Sequence, residues 1–347
     1  TLTIWKREQV DKEDVDEVLD QAKAAGCNWV SICPTEFIDT TNSFDISLDK
    51  DANFQTLTKS NVRDVINWCH QKNMKVLLKP HINVRDGSWR GDIFAEPYDD
   101  FFCEYKVFID KWARFAAEKD NEGCNLADMF SVGCELKGTT GLRGSGIPGA
   151  TDELDQFVWQ WDEIIDVVKS SYDGPLVYSA NWDNYKNFLF WDELDYIGID
   201  AYFPVAENID NPTLNMLKTA WESEILDITS WIDDATLNGK PLIFTEIGYL
   251  SIKGTHKYPY KTKDEDVFSY EDTSQEEQAN CYRSFLEVTR KDNDFPFFKG
   301  EFWWNWETDW SNQNYLERDY TSQGKIAEEV LTELYVFGLT WRQITPS

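Results

Sequence analysis

Apolar positions along this chain follow two alternating rhythms. Short runs dense in β-branched and aromatic residues read as strands, and stretches with apolar residues three and four apart read as amphipathic helices. TLTIW (1–5) reads as the tail of a first strand cut at the start. Residues 11–25 place Val15, Val18, Leu19, Ala22 and Ala25 on one helical face, with Gly26 in position to cap it. CNWVSICPT is a second strand ending near Pro34, followed by a helix from Asn61 to Lys72. MKVLLKPHI is the third strand, and Phe101–Glu118 a helix with Tyr105, Phe108, Trp112 and Phe115 inward. LADMFSVGCELKG (126–138) is the fourth strand, ending at Glu135, and Asp152–Ser171 the next helix. GPLVYSANW and LDYIGIDAYF are the fifth and sixth strands, Leu214–Thr236 is a helix, and PLIFTEIGY (241–249) is the seventh strand. Ser274 with Glu277 forms a capping box for a helix over Gln275–Lys291. FPFFKGEFWWNW is the eighth strand, and a last helix covers about Lys325–Tyr335.

Eight alternations of strand and helix, with no long linker or low-complexity segment, predict an α/β fold: a (β/α)8 TIM barrel, one domain over 1–347. A doubly wound open sheet would carry a glycine-rich phosphate loop after an early strand, and neither GxGxxG nor GxxxxGK occurs. The loop Ile252–Thr273 is long, polar and tyrosine-rich, and it follows the seventh strand, where it is placed to wall a cleft.

Two of the predicted strands are apolar runs that end in a carboxylate, Glu135 on the fourth and Glu246 on the seventh. A buried carboxylate needs partners or a task. Strand-end acids this far apart in sequence meet only if their strands share a sheet and open at the same end, as in a parallel barrel, whose active sites lie at that face.

Composition narrows the chemistry. The formal net charge is −30, from 33 basic and 63 acidic residues, so nucleic acid and anionic membrane surfaces are repelled while a neutral ligand is not. Sixteen Trp supply flat apolar faces with one N–H donor each, suited to binding sites, although core packing accounts for many of them. The seven Cys are odd in number and lack a CxxC, which reads as free thiols. His70, His81 and His256 form no HxH or HExxH pattern, so neither a metal nor another cofactor is expected. No apolar span long enough for a transmembrane helix and no signal-peptide pattern is read. A monomer is expected. The compartment stays open: a polymeric substrate favours an extracellular site, and an odd, unpaired cysteine set favours a reducing one.

With these residues in view, the sequence resembles the retaining glycoside hydrolases of clan A, and among them the β-mannanases of glycoside hydrolase family 113. The likeness rests on LLKPHINVRDGSWRGDI (77–93), VGCELKG, YIGIDAYFP, FTEIGY, QEEQA and EFWWNWE, spread over nearly the whole chain. It implies a nucleophile, Glu246, and an acid/base, Glu135, in an endo-β-1,4-mannanase acting by double displacement on a β-linked oligo- or polysaccharide. Tyr202 is then a donor to the nucleophile. The expected substrate contacts are Trp5, His81, Trp89, Arg90, Cys134, Asn181, Trp182, Asp200, Tyr202, Trp304 and Trp306, since sugars stack their C–H faces on aromatic rings and pair their hydroxyls with polar groups. Trp303 and Trp304 must face opposite ways on a strand, and Trp304 is the expected pocket residue. One departure stands out. Most of the clan has Asn immediately before the acid/base, where it bonds the sugar 2-OH, and this chain has Cys134, a weak donor. The alternatives are another clan A β-glycosidase, cellulase- or xylanase-like, and a non-catalytic carbohydrate-binding barrel.

Overall fold

The computed structural model describes residues 1–48, 57–95, 97–120, 123–140, 154–233, 237, 239–263, 267–268, 272–290, 295–308 and 317–337. Strand β1 is Leu2–Thr3, helix α1 Lys12–Ala24, β2 Trp29–Ile32, β3 Thr35–Ile38 and α2 Lys59–Gln71. Then come β4 Lys75–Leu78, β5 His81–Val84, α3 Tyr98–Ala116, β6 Met129–Cys134 and α4 Leu154–Ser171. The second half runs β7 Leu176–Asn181, β8 Tyr196–Asp200, α5 Leu214–Ile232, β9 Leu242–Ile247, α6 Gln275–Thr289, β10 Phe298–Trp303, β11 Trp306–Glu307 and α7 Ile326–Thr332.

The main sheet has the order β10-β9-β8-β7-β6-β4-β2-β1-β11, every pairing parallel. β10 and β11 are two pieces of the eighth barrel strand. The first pairs with β9 and the second with β1, through Leu2↔Trp306 and Thr3↔Glu307, so the ring closes through a break at residues 304–305. This is the expected (β/α)8 barrel. Helix starts follow local chemistry: Asp11 and Thr58 accept backbone N–H groups of α1 and α2. Ser274 caps α6 in the same way. The predicted reciprocal box is only half formed, because the Glu277 carboxylate turns to the loop above, taking Gly254 N and His256 Nδ1, each at 2.7 Å.

The chain does not stop at Pro34 and Pro80. β3 and β5 continue past these prolines and pair with each other in a separate two-stranded sheet on the rim. Pro34 still contributes its carbonyl, which accepts His81 N at 2.9 Å.

Side-chain alternation sets the interior of the ring. Leu77, Met129, Val177, Ile243 and Phe302, with Trp29 and Tyr196 against them, form an apolar plug at one level. Two residues further along their strands the inward positions turn polar: Ser31, Lys79, Ser131, Ser179 and Thr245, all fully buried. Ser131 and Ser179 bond each other at 3.1 Å. The barrel is therefore dry at one end and polar towards the ends of its strands, where both strand-end glutamates lie. Trp303 faces the other way, stacked at 3.8 Å on Tyr282 of α6, and this alternation turns Trp304 inward.

Candidate active site

Glu135 follows β6 after a register irregularity between Ser131 and Cys134. Its φ of 51° lies in the left-handed region, where a non-glycine residue costs on the order of 1–3 kcal/mol. Two contacts fix it there: its N–H donates to Ser179 O at 2.8 Å, and its carbonyl accepts Lys137 N at 2.8 Å. The carboxyl meets the loop after β5. Trp89 Nε1 donates to Oε2 at 3.3 Å, and Arg90 Nη1 lies 3.5 Å from the same oxygen. Trp89 reaches this point because residue 91 is glycine; a Cβ there would come within 2.3 Å of the indole.

Glu246 sits on β9 past its own register irregularity against β8 and is buried. Tyr202 donates its hydroxyl to Oε2 at 2.7 Å, as the resemblance implies, and Lys79 Nζ lies 2.6 Å from Oε1. Gly248 lets the eighth strand pass close by, since a Cβ on it would stand 2.5 Å from Trp304 O.

The two glutamates converge on one atom. An oxygen of Glu135 and an oxygen of Glu246 each lie within 4.8 Å of Cys134 Sγ. These two oxygens are thus at most about 10 Å apart, a bound that admits the spacings used by carboxyl pairs that cleave glycosides. Their surroundings differ. Burial, then the charge of Asp200, pushes Glu135 up to about 7 against the opposing Arg90. Glu246 instead has a donor on each oxygen. Glu135 is thereby suited to carry a proton, while Glu246 is held by two donors.

Asp200 is not positioned as a sugar contact. It is fully buried and accepts Lys79 at 2.9 and 3.1 Å, Thr245 Oγ1 at 2.7 Å and Cys134 Sγ at 3.5 Å, so its oxygens are occupied inside the barrel. Burial and the charge of Glu246 push it up to about 6 against Lys79. Trp306 also departs from expectation. It lies in the core between the ring and the helices, because the strand break at 304–305 interrupts the alternation that would have kept it in phase with Trp304. Cys134 is buried and accepts Arg90 Nη1 at 3.3 Å, while Arg90 Nη2 donates to Asn83 Oδ1 at 2.7 Å.

His81 is buried with no partner for Nε2, 4.0 Å from Glu246 Oε1. Burial, with Arg90 and Lys79 nearby, holds the imidazole well below its usual range, so it is neutral and this contact is no ion pair. Asn181 ends β7 and donates to Asp183 at 2.7 Å. Trp182 is half-buried and stacks on Tyr260 at 5.4 Å. Tyr260 belongs to the long loop after β9, which is tied down on two sides. His256 Nε2 meets Ile209 O at 3.0 Å, and Tyr320 OH donates to the carbonyls of Pro259 and Lys261. Residues 256–261 of the loop therefore stand against the strand-end residue Trp182, in line with the wall its composition suggested. Trp5 is half-buried and bonds Glu307, which also accepts Asn305 Nδ2 at 3.0 Å.

His81, Cys134 and Glu246 offer three donor atoms within 4.8 Å of one another, as do Cys134, Glu135 and Asp200. Both sets already face cations, Lys79 on the carboxylates and Arg90 on the thiol, so their charge does not suit a metal ion. Lys79 and Asn83 escaped the sequence reading. The signal for Lys79 was present in a lysine closing the apolar run MKVLL, where a charge is buried only with partners.

Comparison with known proteins agrees with this fold. No curated protein sequence matches the chain. Among solved structures, a complex of a GH113 β-1,4-mannanase is 22% identical, with 96% of each chain covered and a TM-score of 0.76. The GH113 β-mannanase of Alicyclobacillus acidocaldarius in complex with ManMIm is 22% identical over 96% of this chain and 94% of its own, with a TM-score of 0.74. A GH5_18 protein of Streptomyces cattleya in complex with Manb1-4GlcNAc is 12% identical over 97% of this chain and 77% of its own, at 0.61. The model of Glycoside Hydrolase Family 113 matches residues 3–325, and the chain belongs to that family of glycoside hydrolases.

Proposed function

We propose that this single-domain barrel is a retaining endo-β-1,4-mannanase that works by double displacement, with Glu246 as nucleophile and Glu135 as acid/base. The observation that carries the reading is the asymmetry of two carboxyls near Cys134: Glu246 held by Lys79 and Tyr202, Glu135 half-buried and pushed up to about 7 by desolvation. In the first step Glu246 attacks the anomeric carbon while protonated Glu135 delivers its proton to the leaving oxygen. In the second, ionised Glu135 takes a proton from water, which displaces Glu246. Trp89, beside Glu135, and the Trp182–Tyr260 stack offer aromatic faces to sugar rings. The neutral imidazole of His81 offers its unpartnered nitrogen to a hydroxyl. The mannan assignment is supported by its GH113 structural neighbours, which are β-1,4-mannanases.

The test is Glu246→Ala with azide. Hydrolysis of mannan should collapse, and azide should restore turnover of an activated aryl β-mannoside as the α-glycosyl azide. Glu135→Ala should give the β-azide instead. Near-normal hydrolysis by Glu246→Ala would remove it from the role of nucleophile. Cys134 in place of Asn supports a second reading, a clan A β-glycosidase for another sugar, because the thiol is committed to Arg90 and Asp200. A panel of mannan, glucomannan, cellulose and xylan decides between them.

A further inference from the structure

Lys79 is buried as completely as any residue in the protein. Its structural need for an anion is met by Asp200, which takes Nζ on both oxygens and is itself fixed by Thr245 and Cys134. Yet the shortest contact of the ammonium, 2.6 Å, goes to Glu246. Burial opposes the charge, but Asp200, Cys134, Glu246 and Cys33 together hold it well above the usual lysine range, so it stays an ammonium at working pH. One cation is thus shared between an anion that takes no part in the reaction and one that, on the function proposed above, is esterified and released in every turnover.

We infer that Lys79 is a positioning residue for the second half of the reaction: it holds Glu246 as a leaving carboxylate. While the sugar is esterified to Glu246, Asp200 alone balances Lys79. When water attacks the anomeric carbon and gives its proton to Glu135, the bond from that carbon to the Glu246 oxygen breaks. The electron pair stays on the carboxylate beside a waiting ammonium. In the first half the same contact stabilises the attacking anion before it reacts, so it gives no comparable help there.

The test is Lys79→Met assayed with a dinitrophenyl β-mannobioside, whose leaving group makes the first step fast. The expected loss in kcat is about 100-fold, the scale for removal of one charge-stabilising donor. KM should fall with it, kcat/KM should change little, and a burst of about one equivalent of dinitrophenolate should appear with the sugar mass on the peptide carrying Glu246. Parallel losses in kcat and kcat/KM without a burst would overturn the proposal. Asp200→Asn provides an independent reading if the Met variant does not fold. Ester formation then strips Lys79 of its last carboxylate, so the first step should slow and no adduct should accumulate; a burst in this variant also overturns it. Labelling of Glu246 in the wild-type protein with a slow fluorinated mannoside separates the two claims. Without labelling, the nucleophile assignment fails; with labelling but no burst in Lys79→Met, only the role of Lys79 fails.

Discussion

The guanidinium of Arg90 stands 3.5 Å from Oε2 of Glu135 and opposes the burial that keeps this carboxyl protonated. On the proposed mechanism the first chemical step needs the proton on Glu135, so kcat/KM should fall as pH rises through about 7. Replacing Arg90 by Met removes the opposing charge and raises the basic limb of the profile by about one unit, the lower end of what a nearby charge does. A pH profile of kcat/KM for wild type and variant checks this. A basic limb that stays in place or moves down would separate Arg90 from the acid.

Cys134 Sγ lies within 4.8 Å of an oxygen of each carboxyl yet is a poor nucleophile. Burial, with Asp200 and Glu135 nearby, raises its thiol well above the usual range despite Lys79 and Arg90. Cys103 and Cys124 are exposed. Iodoacetamide at neutral pH should therefore label Cys103 and Cys124 with activity retained. Inactivation that follows labelling of Cys134, mapped by peptide mass, would contradict this.

The Trp182–Tyr260 stack predicts a dependence on chain length. Trp182→Ala should raise KM for polymeric mannan roughly threefold to tenfold, the range of one aromatic contact, with kcat nearly unchanged. Activity on the shortest cleaved oligosaccharide should move less. Equal changes on both substrates would place the stack outside the path of the polymer.

The barrel was legible because its strands are buried on both faces and read as apolar runs, and because Glu135 and Glu246 each close one of them. The partnership of Tyr202 with Glu246 followed from family resemblance and not from spacing. Other positions were misread for local reasons. Asp200 ends a strand on the inward side, the place for a ligand contact, but a lysine 121 residues earlier in the chain occupies it, and no pattern in sequence couples the two. Trp306 has the parity of Trp304, and only the break at 304–305 puts it in the core. Pro34 suggested a strand end and MKVLLKPHI a single strand, whereas the chain resumes beyond Pro34 and Pro80 as a rim sheet.

The left-handed backbone at Glu135 bears on how this protein can be improved. Glycine or asparagine would sit there with less strain and would remove a half-buried carboxyl as well. A library screened for heat resistance alone would thus be drawn to position 135 and, on the proposed mechanism, would return robust but inert proteins. Thermal engineering of this scaffold has to leave that residue untouched and gather its gains from the outer helices.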